Sequence, residues 1–124
     1  MQDLIIPATE STPEIQFNYL EKRFEIRGES FPDNVGYFYE PIFNWIREYL
    51  DNHDEFVLHM ELIYFNSSSS KVLLDLFDLL ETYAQNGKQI YIHWVYDKEN
   101  YGIKEYGIEF KEDLEFLKFD FFEI

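Results

Sequence analysis

Apolar and polar residues alternate in two short stretches near the start of the chain, "EIQFNYL" and "RFEIRGE", with Glu21 and Lys22 between them. A period of two marks a strand with one buried face, so the pair predicts an antiparallel hairpin. Leu4 to Ile6 supplies a further short strand, ended by Pro7.

The period then changes. In "FPDNVGYFYEPIFNWIREYLDN", Ile42, Trp45, Ile46, Tyr49 and Leu50 recur at helical spacing, and the run stops near Asn52. Pro41 has no amide hydrogen, which suits a first turn, so the regular helix is expected to begin around Tyr39 or Glu40. "EFVLHMELIYF" returns to alternation, with Leu58, Met60, Leu62 and Tyr64 on one apolar face and His59, Glu61 and Ile63 on the other. Leu73, Leu76, Phe77, Leu80, Tyr83 and Ala84 mark a second helix that stops at Asn86-Gly87. "QIYIHWVYD" is another strand, showing Ile90, Ile92, Trp94 and Tyr96 on one side. A shorter helix is expected over Ile103 to Glu115, and "FLKFDFF" as an edge strand. The order β-β-β-α-β-α-β-α-β predicts a single α/β domain over residues 1–124. Its sheet is mixed, antiparallel at the start and parallel in the second half, with the helices packed on one face.

Composition narrows the function classes. Of 124 residues, 46% are apolar and 20% aromatic, enough for a core and too many for a disordered chain. The 25 acidic residues against 10 basic ones leave a net charge of −15. That field repels phosphate backbones and anionic membranes, so neither nucleic acid nor membrane is an expected partner, while a protein with a basic patch is attracted. Cysteine is absent, which removes disulfides and thiolate chemistry. The N-terminus lacks the basic and long apolar regions of a signal peptide, and no apolar run approaches the ~20 residues that span a bilayer. The expectation is a soluble cytoplasmic protein.

Catalytic patterns are missing. His53, His59 and His93 lack metal-ligand spacing, although His59 and His93 lie on strands that could be neighbours. The glycines form no phosphate-cradling loop, and no Gly-x-Ser-x-Gly elbow occurs. Neither a metal nor a cofactor is expected, and an enzyme built from the scattered carboxylates is the least favoured function.

What remains is "FNSSSSK", Phe65 to Lys71, between a core strand and a core helix. Four serines there have three readings: a linker, helix caps, or hydroxyls placed for modification. A linker has little freedom between two core elements. Ser69 or Ser70 suits the cap, accepting from amides of the first helical turn. The other hydroxyls sit where strands of open α/β folds end and partners meet the protein. A phosphoryl group there brings about −1.5 to −2 charges at pH 7 beside the positive end of a helix, which tolerates it while the surface changes.

In these segments the chain resembles the SiaC family of bacterial regulatory phosphoproteins, whose fold resembles the anti-sigma-factor antagonist (STAS) domain. "IPATESTPEI" resembles the family's opening, and "GESFPDN" its Gly-x-Ser-aromatic-Pro-x-Asn segment. "LIYFNSSSSK" resembles its Leu-x-Tyr-x-Asn-Thr/Ser-Ser-Ser-x-Lys stretch, and "HWVYD" its Trp-x-Tyr-Asp strand end. The resemblance runs along essentially the whole chain. It implies a non-enzymatic partner-switching module, phosphorylated by a dedicated kinase and dephosphorylated by a PP2C-type phosphatase. Unphosphorylated, such a module binds a diguanylate cyclase and promotes cyclic di-GMP synthesis, favouring aggregation and biofilm. The acceptor is the hydroxyl after the motif's Asn, here Ser67 after Asn66, where the family often has Thr. Ser68 is the second choice. If "STPEI" and "SFPDN" lie beside the serines, Thr12 and Phe31 join Asn66 and Lys71 as expected partner contacts. The alternative is an anti-sigma-factor antagonist that uses the same phospho-switch in transcription control.

Overall fold

The computed structural model describes residues 1–124. Nine elements follow in the expected order: β1 (Leu4–Ile6), β2 (Glu14–Asn18), β3 (Arg23–Ser30), α1 (Val35–Asn52), β4 (Glu55–Phe65), α2 (Ser67–Gln85), β5 (Gln89–Tyr96), α3 (Tyr101–Glu112) and β6 (Lys118–Glu123). The six strands form one sheet in chain order. The β1–β2 and β2–β3 pairs are antiparallel, while β3–β4, β4–β5 and β5–β6 are parallel. Parallel neighbours need crossovers, and α1, α2 and α3 supply them. Each crossover moves to the next strand in the same direction, so right-handed connections place all three helices on one face.

The burial pattern agrees. Phe17, Ile26, Leu58, Met60, Ile92 and Trp94 are buried against Ile46 of α1, Leu76 of α2 and Phe110 of α3. Each fully buried large side chain contributes about 1.5–3 kcal/mol. The opposite face is a polar row, Gln16, Glu25, His59, His93 and Asp120, paired in register across five strands. Gly107 lets α3 press onto the sheet; a Cβ there would stand 2.6 Å from Trp94 Nε1.

Three boundaries and one strand register differ from the sequence reading. Helix α1 starts at Val35, not near Tyr39, because Asn34 caps it: its side chain accepts from the Tyr37 amide at 3.1 Å. Pro41 lies inside the helix, at an exposed position. Alternation in β4 breaks at a bulge: Gly28 pairs with Leu62 but Glu29 with Tyr64, leaving Ile63 over. Tyr64 therefore joins Ile63 on the outside instead of following Leu62 inward, and Phe65 turns in. Gly28, with φ 118, bends the partner strand there. Helix α2 begins at Ser67, so the serines are its first turn and not a loop before it. Finally, α3 ends at Glu112, because the amides of Glu115, Phe116 and Leu117 donate to the Glu81 carboxylate at 2.6, 3.0 and 2.7 Å.

Candidate functional site

The serine turn sits at the C-terminal rim of the parallel strands, and Asn66 is its hinge. The Asn66 backbone N–H donates to the Ser30 carbonyl at 3.1 Å, tying the turn to the end of β3. Its side chain accepts from the Ser69 amide at 2.9 Å, and its carbonyl takes the Ser70 amide at 2.9 Å. Asn66 is thus the cap of α2. That corrects the expectation for Ser69 and Ser70, which lie inside the first turn with their own amides bonded to Asn66. The amides of Ser67 and Ser68 have no intrahelical acceptor and point out from the positive end of the helix.

The helical turn gives the four hydroxyls different environments. Ser67 and Ser68 are exposed, Ser70 is half-buried and Ser69 is fully buried. The Ser69 hydroxyl lies 2.7 Å from Ser30 Oγ, which lies 2.7 Å from the Tyr39 hydroxyl. These three groups form a sealed chain joining α2, β3 and α1, with no buried side-chain polar atom left unpaired. Burial pushes the Tyr39 phenol up to about 12, so it keeps its proton and remains a donor. The hydroxyls of Ser67 and Ser68, by contrast, have no intramolecular partner and face solvent.

Of the expected partner contacts, Phe31 stands at this rim. Its ring meets Tyr64 edge-on at 5.9 Å, and its amide donates to the Ser11 carbonyl at 2.8 Å. The second bond brings the N-terminal loop to the end of β3, but the Thr12 hydroxyl is engaged with Thr9 and makes no bond to the serines. Lys71 is exposed one turn after Ser67 and forms no ion pair. His59 and His93 are direct register neighbours, with His59 Nε2 3.2 Å from Glu61 Oε1.

A model of the SiaC family regulatory phosphoproteins matches residues 6–124. The chain belongs to the SiaC family. An uncharacterized protein of Pseudomonas aeruginosa (strain UCBPP-PA14) is 37% identical over 117 residues, covering 94% of this chain and 93% of that protein. The structure of SiaC of Pseudomonas aeruginosa superposes with a TM-score of 0.91 at 33% identity, covering 100% of both chains. A chain in the crystal structure of the diguanylate cyclase SiaD in complex with its activator SiaC, from the same organism, gives 0.92 at 33% identity. That match covers 98% of this chain and 100% of the other. The six-stranded mixed sheet with three helices is therefore the SiaC architecture. No helix is long and apolar enough to cross a membrane.

Two features of this SiaC-family rim were not read from the sequence. One is the Ser30–Ser69–Tyr39 chain, which joins residues distant in sequence. The other is a hollow of about 360 Å³ beside Ser67, lined by Tyr64, Phe65, Asn66, Ser67, Ser70 and Tyr106. Tyr106 comes from α3, and only the fold brings it here. A glycine inside a strand, Gly28, was the available sign of the bulge that turns Tyr64 outward.

Proposed function

We propose that this protein is a non-enzymatic partner-switching regulator whose switch is phosphorylation of Ser67. The unphosphorylated form binds a diguanylate cyclase and promotes its cyclic di-GMP synthesis; a protein kinase and a PP2C-type phosphatase set the state of the serine. The observation that carries this reading is an exposed, unpartnered hydroxyl directly behind the Asn66 cap, in a chain of the regulatory phosphoprotein family. The likeness to SiaC, the activator of SiaD, supports the cyclase as partner.

The physics is that of a tolerated but disruptive charge. The free amides of Ser67 and Ser68 and the helix dipole stabilise a phosphate at this position by about 0.3–1 kcal/mol. Lys71, at i+4, is within reach of it. The domain therefore keeps its fold. A partner that buries the rim meets an unpaired dianion instead, and even ~2.8 kcal/mol of mismatch weakens binding about a hundredfold. Ser68, also exposed and one position further on, is the alternative acceptor.

The test is cyclase binding and cyclic di-GMP output with three forms: unmodified, Ser67→Ala and phosphorylated at Ser67. The first two should bind and activate, and the third should do neither. Equal activation by all three would end the switch reading. Recovery of an anti-sigma kinase in place of a cyclase would redirect it to transcription control.

A further inference from the structure

Resting on that reading, we propose that the hollow beside Ser67 receives a single apolar side chain from a basic surface of the cyclase, and that the phosphoryl group acts by displacing it. The β-bulge at Ile63 has a structural consequence that strand alternation would forbid. It puts two consecutive apolar residues, Ile63 at 60% exposure and Tyr64 at 49%, on the outer side of the rim. From α3, Tyr106 at 47% exposure forms the opposite wall, its ring 5.0 Å from Phe65. The walls are braced. Phe31 backs Tyr64 edge-on, and the Asn100 side chain donates to the bulged Ile63 carbonyl at 2.9 Å.

Between these aromatic walls the floor is polar and small: Asn66, Ser67 and Ser70. Exposed aromatic rings around a preformed hollow are the composition of an interface anchor site, where one inserted side chain carries much of the affinity. The chemistry of the occupant follows from what surrounds it. The aromatic walls favour an apolar group. Outside them, Glu29 pairs in register with Tyr64 and Glu105 precedes Tyr106, both exposed, in a chain of net charge −15. A basic surround on the partner complements that field.

The Ser67 hydroxyl lines the same hollow, so a phosphoryl ester on it introduces a dianion where the apolar group would sit. Competition for one space, in addition to simple repulsion, is what this geometry adds to the switch.

The test is calorimetric titration of the dephosphorylated protein with the diguanylate cyclase of its own host. Tyr64→Ala and Tyr106→Ala should each weaken binding at least tenfold with little change in melting temperature. Ser70→Phe, which fills the hollow instead of emptying it, should do the same. Tyr37→Ala, an exposed aromatic on α1, should leave binding within about twofold. Combining Ser67→Asp with Tyr106→Ala should lose less than the product of the separate losses, because both remove the same contact. Unchanged affinity in the hollow variants, an equal loss from Tyr37→Ala, or fully multiplicative losses would overturn the assignment. Absence of cyclase binding by the dephosphorylated wild type would instead overturn the functional reading beneath it.

Discussion

Helices α1 and α2 begin in the same way and present opposite chemistry. Each is capped by an asparagine whose side chain accepts from the amide three residues on, Asn34 from Tyr37 and Asn66 from Ser69. Each leaves its first amides free beside the positive end of its dipole, and neither has an acidic residue in its first turn. Yet the first turn of α1 is Val35 to Phe38, and that of α2 is four serines. Anion tolerance is thus common to both ends, and only α2 supplies exposed serine hydroxyls, held close to the free amides, to make use of it. A helix N-terminus does not mark a switch; the residues standing on it and the surface beside it do. Asn100, before α3, shows a third use of the same residue. It makes no cap bond and braces the bulge at Ile63 instead.

Placing the same charge at both helix starts separates the terminus from the residues that stand on it. Ser67→Asp should reduce cyclase binding by one to two orders of magnitude, short of the full phosphate effect because Asp carries about half the charge. Gly36→Asp, at the corresponding turn of α1, should leave binding within about twofold. Both should hold or raise the melting temperature, since each complements a helix dipole by about 0.3–1 kcal/mol. A comparable binding loss from Gly36→Asp would mean that the whole helical face, not the serine rim, meets the partner.

Smaller in scale is the cost of the supports. Tyr39→Phe and Ser69→Ala each remove one hydroxyl from a sealed chain and should cost about 1 kcal/mol, read by denaturant unfolding. Asn66→Ala and Asn34→Ala should each cost about 1 kcal/mol as lost caps. The two caps should then part in function. Loss of Asn66 also releases the turn that holds Ser67 and should lower phosphorylation by the cognate kinase, whereas loss of Asn34 should not.

Those supports show which features the sequence could disclose. Strands β2, β3 and β5 and the core of α1 and α2 were legible because period two and period 3.6 record which face is buried, and tertiary packing agreed with both. Pro41 misleads because its missing amide suits a first turn, whereas the cap bond comes from Asn34, seven residues earlier. Ser69 and Ser70 are the expected caps from composition alone, but Asn66 precedes them and its side chain makes the cap bond. Alternation points Tyr64 inward because it counts residues and does not see a bulge; only Gly28, on the partner strand, hints at it. The motif resemblance singled out Ser67, and the fold gives that residue an exposed, unbonded hydroxyl. Tyr106 and the Ser30–Ser69–Tyr39 chain carried no local signal, since their roles come entirely from contacts between distant segments.

The smallest effect is expected at Glu81, near the other end of α2 from the serines. Burial pushes the Glu81 carboxyl up, but the amides of Glu115, Phe116 and Leu117 outweigh it and hold the group below the usual carboxylate range. A carboxylate depressed in the folded state contributes stability above its unfolded pKa, near 4.3, and that contribution is lost as pH falls through the folded value. Glu81→Gln should therefore lower the melting temperature modestly at pH 7, and the gap to wild type should close as pH drops below about 4. Because the group is only half-buried, the gap should also shrink in high salt. A phosphate on Ser67 titrates elsewhere, with a second pKa near 6. The switch should thus lose charge between about pH 7 and 5, while the fold is still fully supported by Glu81. Melting curves and partner binding measured over the same pH series would separate the two. If binding by the phosphorylated form recovered only where the domain itself began to unfold, charge at Ser67 would not be what controls the rim.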